Sequence, residues 1–305
     1  MTAGGLTVIW QQFVMDLDAL DPHAVEMIFT RHGAHSVTLT DAGENPVFEP
    51  VPGATPLWAD TQITGLFAAD ADLQALCGSL VAELNLKYLP AHHTEELPDR
   101  DWEREWLRDF GPMQFGRRLW VCPTHSIVEQ SNAVIVHLDP GLAFGTGTHA
   151  TTALCLEWLD DAALTGKSML DYGCGCGVLA IAALKLGCQS ATAMDIDPQA
   201  IVATRRNAAE NAVAQHLRVT GSADDIVGIF DVVVANILAR PLIQYAESIT
   251  SCLAGHGMLV LSGVLCEQAD DVMVAYEPWV EFDEPVFREQ DGQEWTRLTG
   301  TRRAG

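Results

Sequence analysis

The rhythm of apolar and polar positions changes once along the chain. Over the first hundred residues, alternating runs are interleaved with two amphipathic segments. LTVIWQQFV (6–14), SVTLT (36–40) and QITGLFA (62–68) read as strands, and LKYLPAHHTEEL reads as a broken fourth. PHAVEMIFTRHG (22–33) opens on Pro22 and closes at Gly33 as a helix does, and ADLQALCGSLVAEL (71–84) is helical by its period. That β-α-β-β-α-β order predicts a ferredoxin-like α+β domain over 1–100.

DWEREWLRDF (101–110) sets Trp102, Trp106 and Phe110 four apart on one stripe, which predicts a linker helix within a connecting segment, 101–125. Beyond it the grammar is different. Strands SMLDY (168–172), SATAMDI (190–196), LRVTGSA (217–223), FDVVVANIL (230–238) and GMLVLSG (257–263) alternate with helices over 178–187, 198–212 and 241–253. Strands alternating with helices of that length predict a parallel, doubly wound α/β sheet for 126–305.

Charge narrows the partners. The 305 residues carry 41 Asp and Glu against 17 Lys and Arg, a formal net charge of −24. Clustered cations for a phosphate backbone are missing, so direct nucleic-acid binding is not expected. Residues 1–99 hold 14 acidic and two basic residues, Arg31 and Lys87, which suits a basic partner and equally suits a solvated face. No apolar run reaches the ~18 residues of a membrane span, and the N-terminus lacks the order of a signal peptide. A soluble cytoplasmic protein, monomeric and free of membrane, is the expectation. Cys77, Cys155, Cys188 and Cys252 lie in apolar stretches as small core residues would. Cys174 and Cys176 form a C-x-C with no second pair at zinc-site spacing, so no metal is expected.

The sharpest local signal is MLDYGCGCGVLAIAAL. Asp171 ends a strand, and Gly173, Gly175 and Gly177 precede a helix, where backbone N–H groups can approach a ligand closely. Asp195 ends the next strand, placed for a ribose. A dinucleotide site wants G-x-G-x-x-G and no charge beside the pyrophosphate. Here the spacing is G-x-G-x-G, and the carboxylate of Asp171 would repel a diphosphate but attract a cationic amino-acid tail. The motif therefore favours S-adenosylmethionine over a nicotinamide dinucleotide.

Asn236 closes the fourth strand of the alternating set, where its amide oxygen can accept from a substrate amine and aim the lone pair. Asn is also a common turn former at such a place. Upstream, LDPGLAFGTGTHATT (138–152) holds Gly145 and Gly147, suited to a mobile loop. The bland alternative is a helix start capped near Thr151 or Thr152. His149 is a candidate base, though a lone loop histidine is more often structural.

DWEREWLRDFGPMQFGRRLWVCP, LDPGLAFGTGTHATTALCLEWL, DYGCGCGVLAIAALKLG, DIDPQAI and DVVVANIL together resemble the bacterial methyltransferases of large-subunit ribosomal protein L11. The resemblance implies a ferredoxin-like recognition domain followed by a class I methyltransferase domain. It further implies S-adenosylmethionine as donor, and lysine ε-amines and the N-terminal α-amine of a basic ribosomal protein as acceptors, taken up to the trimethyl state. Family cofactor positions fall on Thr152, Gly173, Asp195 and Asn236, with Asp171, Gly175, Phe144, Gly145 and Thr146 as further contacts. Ala150 stands where the family loop has proline, and Cys176 where it has serine. An RNA or small-molecule methyltransferase, or a non-catalytic ribosome-associated factor, is the alternative on the same cofactor fold.

Overall fold

The structure, a computed structural model, describes residues 10–43, 57–97, 111–124, 126, 128–138 and 147–303. It divides into two compact units, Met1–Glu105 and Trp106–Gly305. The predicted linker helix over 101–110 lies outside the described residues.

In the first unit the order is β1 (Trp10–Asp16), α1 (Pro22–Arg31), β2 (Ser36–Asp41), β3 (Thr61–Ala68), α2 (Leu73–Glu83) and β4 (His92–Leu97). The sheet runs β2-β3-β1-β4 and every pair is antiparallel. Alternation builds its core: Phe13, Met15, Ile63 and Phe67 point to the side where Val25, Ile28, Phe29, Leu76 and Leu80 of the helices pack. Burying each such side chain contributes about 1.5–3 kcal/mol. Asp21 and Asp72 cap the two helices by accepting from His23 N and Ala75 N.

The second unit opens with β5 (Met113–Phe115), β6 (Leu119–Cys122) and β7 (Val134–His137), a three-stranded sheet of its own. Then follow α3 (Ala150–Asp161), β8 (Ser168–Tyr172), α4 (Val178–Lys185), β9 (Ser190–Met194), α5 (Pro198–Glu210), β10 (Leu217–Thr220) and β11 (Phe230–Asn236). The remainder is α6 (Ala239–Gln244), α7 (Ala246–Ser251), β12 (Leu253–Leu265), α8 (Ala269–Tyr276), β13 (Val280–Phe282), β14 (Val286–Gln290) and β15 (Gln293–Arg302). The large sheet runs β10-β9-β8-β11-β12-β15-β13, with β14 beside β15.

Pairs from β10 to β12 are parallel, as the alternating grammar predicts. The sheet is not parallel throughout, however. β15 runs antiparallel to β12, and β13 and β14 antiparallel to β15. Of the elements past Gly263, β14 lies on an exposed hairpin whose weak apolar pattern gives no period to read. The predicted single helix over 241–253 is two, broken at Tyr245 (φ −103°, ψ 15°). Leu242, Ala246 and Ile249 keep one buried stripe across the break, so the hydrophobic period does not record it.

The central strands are apolar on both faces because both are covered. In β11, Val232 and Val234 join the core under α3, α4 and β5–β7, while Val233 and Ala235 join the core under α6–α8. Helix α4 is buried all round, Val178 to Leu184, because β7, α3 and α5 close over the side turned from the sheet. Among the described residues no helix is long and apolar enough to cross a membrane.

Candidate functional site

Strand order reverses between β8 and β11: the chain goes outward from β8 to β9 and β10, then returns to the other side of β8. Ligands of open α/β sheets bind at such a switch point, outside the carboxyl ends of the strands. Here those ends are Tyr172 and Asn236. A small, partly open cleft lies there, lined by Thr152, Gly173, Cys174, Gly175, Val178, Leu179 and Asn236.

One wall is the glycine turn between β8 and α4. Gly173, Gly175 and Gly177 all have positive φ (79°, 53° and 79°). Gly173 N and Cys174 N donate to Met194 O at 2.8 and 2.9 Å, which ties the turn to the end of β9. Helix α5 holds it from behind. Thr204 Oγ1 donates to Gly175 O at 2.9 Å, and Asn207 Nδ2 to Cys176 O at 2.9 Å. Asp195 Oδ2 accepts from Gly175 N at 2.8 Å, and its Oδ1 from Asp197 N at 3.0 Å.

Asp171 sits under this turn with no solvent exposure. Its Oδ2 accepts from Ala180 N, in the first turn of α4, at 3.1 Å. Burial pushes its carboxyl up to about 7, and the charge of Asp195 adds to the rise. Its Oδ1 is buried and has no hydrogen-bond partner among the described residues. The thiols of the C-x-C are no nucleophiles: burial pushes Cys174 far up and Cys176 up to about 12. Among the described residues no cluster of His, Cys, Asp or Glu could hold a metal.

The other wall is Thr152 and Asn236. Asn236 Nδ2 donates to Thr152 Oγ1 at 3.1 Å, across 84 residues of sequence. That bond fixes the amide and leaves its oxygen as the acceptor end, within the lining of the cleft. The cap of α3 is His149 rather than Thr151 or Thr152: its Nδ1 accepts from Thr151 N, and Thr152 follows inside the first turn. The His149 ring also packs edge-on against Trp295 at 4.6 Å, and burial lowers its pKa. It serves α3 and does not line the cleft. Gln290 accepts from Ala150 N, Arg297 Nη1 donates to Leu154 O at 3.0 Å, and Arg288 pairs with Glu157 at 2.7 Å. The β14–β15 hairpin thus holds the helix that presents Thr152.

Of the sequence-predicted residues, Thr152, Gly173, Gly175 and Asn236 line one cleft, while Asp195 and Asp171 brace its glycine wall. Phe144, Gly145 and Thr146 lie outside the described residues. Sequence reasoning missed Val178 and Leu179 in the lining and Thr204 and Asn207 behind the turn. The two polar residues sit three apart on one face of α5, a spacing that could have flagged them.

A donor with a cationic amino-acid tail and a ribose fits this arrangement. An unsatisfied buried carboxylate oxygen stands under a cradle of left-handed glycines, with a second carboxylate at the next strand end. A doubly wound sheet with D-x-G-x-G-x-G at its switch point defines an S-adenosylmethionine-dependent methyltransferase. A family model described as "Ribosomal protein L11 methyltransferase (PrmA)" matches residues 9–303. Proteins named ribosomal protein L11 methyltransferase are similar over nearly the full chain. That of Actinobacillus pleuropneumoniae serotype 3 is 48% identical over 295 residues, 96% of this chain and 99% of the relative. That of Methylococcus capsulatus is 48% identical over 296 residues, 97% and 100% of the two chains. A crystal structure named ribosomal protein L11 methylase, from Lactobacillus delbrueckii subsp. bulgaricus, matches with TM-score 0.58 and 31% identity over 64% of this chain and all of that one. The chain belongs to the ribosomal protein L11 methyltransferase family.

Proposed function

We propose that this protein transfers methyl groups from S-adenosylmethionine to amines of ribosomal protein L11, the lysine ε-amines and the N-terminal α-amine, up to the trimethyl state. The observation that carries the chemistry is the Asn236–Thr152 bond beside the glycine turn. The names of the full-length relatives supply the acceptor protein.

When bound, the donor supplies a sulfonium-activated methyl, whose C–S bond breaks as the N–C bond forms, leaving a neutral thioether. The chain does the placing. Asn236 Oδ1 accepts a hydrogen from the amine and directs its lone pair, and Thr152 keeps the amide from rotating. Gly173 and Gly175 would let backbone approach the donor's amino-acid end, Asp171 would place a negative charge beneath the turn that meets its ammonium, and Asp195 would take its ribose. Holding reactants in line is worth up to about 7–11 kcal/mol of barrier. A lysine of reference pKa about 10.4 must arrive neutral, which desolvation in the cleft favours; its remaining proton departs to solvent after transfer.

The first unit has the strand order of a ferredoxin-like module. With 14 acidic against two basic residues in 1–99, it suits recognition of a basic ribosomal protein in the cytoplasm, by a monomer, without direct contact to nucleic acid. The joined roles are recognition over 1–100, linkage over 101–125 and catalysis over 126–305.

Intact-mass spectrometry of L11 incubated with enzyme and donor is the test. Mass gains in ~14 Da steps are expected, and Asn236→Ala should cut their rate about a hundredfold while calorimetry finds donor binding retained. An unmodified L11 would overturn the acceptor, and a wild-type rate in Asn236→Ala would overturn the role of the amide.

A further inference from the structure

We infer that Gly263, a residue outside the cleft lining, is a positioning residue for methyl transfer: it seats the backbone of Ile237 and thereby fixes the amide of Asn236. This rests on the reading of Asn236 given above.

The argument begins in β12. Its register against β15 shifts between Leu261, opposite Leu298, and Val264, opposite Thr296. Three steps on β12 therefore span two on β15, which is a β-bulge. Ser262 and Gly263 occupy it. Ser262 turns its hydroxyl back to Thr296 O at 2.9 Å and is fully buried, so the bulge is pinned on the β15 side. Ser262 is also the residue opposite Asn236 in the parallel ladder to β11. The irregularity thus stands one residue beyond the register partner of the proposed catalytic amide.

Gly263 has φ +84°, a conformation that L side chains rarely adopt. Space forbids a side chain there as firmly as the dihedral does. A Cβ would stand 2.3 Å from Ile237 O, 2.7 Å from Ile237 C and 3.0 Å from Ile237 N. All three are backbone atoms, which have no rotamer to yield. The chain leaving Asn236 therefore runs directly over the bare Cα of Gly263.

The side chain of Ile237 closes the other half of the clamp. A Cβ on Gly173, the first glycine of the donor turn (φ +79°), would meet Ile237 Cγ2 at 2.3 Å. Ile237 is consequently a spacer between two left-handed glycines. Its side chain abuts the turn that cradles the donor, and its backbone abuts the bulge of β12. The distance between donor and amide is set by that one residue, and Thr152 then sets the rotation of the amide. A shift of about 1 Å in such a placement costs on the order of a hundredfold in rate.

The test uses the full chain and three variants, each followed by kcat, donor KM, thermal midpoint and the side-chain amide NMR signal of Asn236. Gly263→Ala pushes on the Ile237 backbone; kcat should fall about thirtyfold or more, donor KM should stay within about threefold, and the amide signal should move. Ile237→Ala removes the spacer without crowding anything, so it serves even where Gly263→Ala folds poorly. It should lower kcat about fivefold and broaden the same signal. Gly255→Ala, also in β12 but with open space around its Cα, should leave every readout unchanged. An unmoved amide signal with parental kcat in folded Gly263→Ala or Ile237→Ala would overturn the inference. So would losses of kcat, donor affinity and thermal midpoint in common proportion, the mark of a merely structural glycine. Were Asn236→Ala itself fully active, the earlier reading would fail instead, and the amide signal would still report whether Gly263 positions it.

Discussion

The two turns that leave the sheet at its switch point are built in opposite ways. The donor turn, from Tyr172 to Val178, is held by backbone bonds to Met194 and by Thr204 and Asn207 from α5. Among the described residues, the acceptor turn after Asn236 is held by the side-chain bond to Thr152 and by the glycine seat beneath Ile237. The first presents backbone N–H groups, whose direction only φ and ψ can set, so it requires residues that tolerate positive φ. The second presents one amide oxygen, whose direction is set by its neighbours. A backbone site is rigid by construction, whereas a side-chain site is only as rigid as its supports.

The largest effect that would break this contrast belongs to Gly177. It caps α4 in the left-handed region, and a Cβ would stand 2.7 Å from Thr204 Cγ2 and 2.8 Å from its Oγ1. Thr204 cannot swing away without releasing Gly175 O. Left-handed strain and overpacking together put the cost of Gly177→Ala at about 3 kcal/mol. Urea unfolding measures it, and a midpoint equal to the parent's would mean the donor turn is not limited by its backbone. Next comes Asp195→Ala, which strips the carboxylate from the glycine wall and from the donor's ribose. A loss of about 2 kcal/mol, read as a donor KM some thirtyfold higher at nearly unchanged kcat, is expected from steady-state kinetics. The opposite pattern, lower kcat at parental KM, would erase the division of labour between the two walls.

The same contrast explains what could be read in advance. Gly173, Gly175 and Gly177 were legible because a chain that must turn through positive φ has to carry glycine, and the carboxylates at the strand ends followed from topology. Strands β8, β9 and β11 were legible because they are buried on both faces and run apolar almost without interruption. Asn236 was legible only beside the glycine turn, since an amide at a strand end is ordinary. Its partner Thr152 came from the family resemblance, and no local pattern announces a bond spanning 84 residues. The β12 bulge and the β14–β15 hairpin were not legible at all. A bulge breaks the two-residue period that would reveal it, and the hairpin's contacts to α3 include isolated polar groups without periodicity, such as Gln290 and Arg297. His149 shows the limit from the other side: a histidine in a suggestive loop turned out to cap a helix.

The smallest effect is the most specific to the donor wall. Asp171 is buried with a pKa raised to about 7, chiefly by desolvation, so near neutral pH both its protonation states are populated. A cation brought to the glycine turn above its buried Oδ1 favours the ionised form and expels that proton. Donor binding should therefore release protons at pH 6.5, where the free carboxyl is largely protonated. It should release few at pH 8, where the carboxyl is already ionised. By linkage, affinity rises with pH through about 7 and levels off above it, by no more than about tenfold. Calorimetry in two buffers of different ionisation enthalpy counts the protons directly. Asp171→Asn should abolish both the release and the slope. A slope that survives in Asp171→Asn would move the titrating group elsewhere and leave the carboxylate under the glycine turn as a support for α4 alone. The donor turn would then bind through backbone and Asp195 without help from beneath.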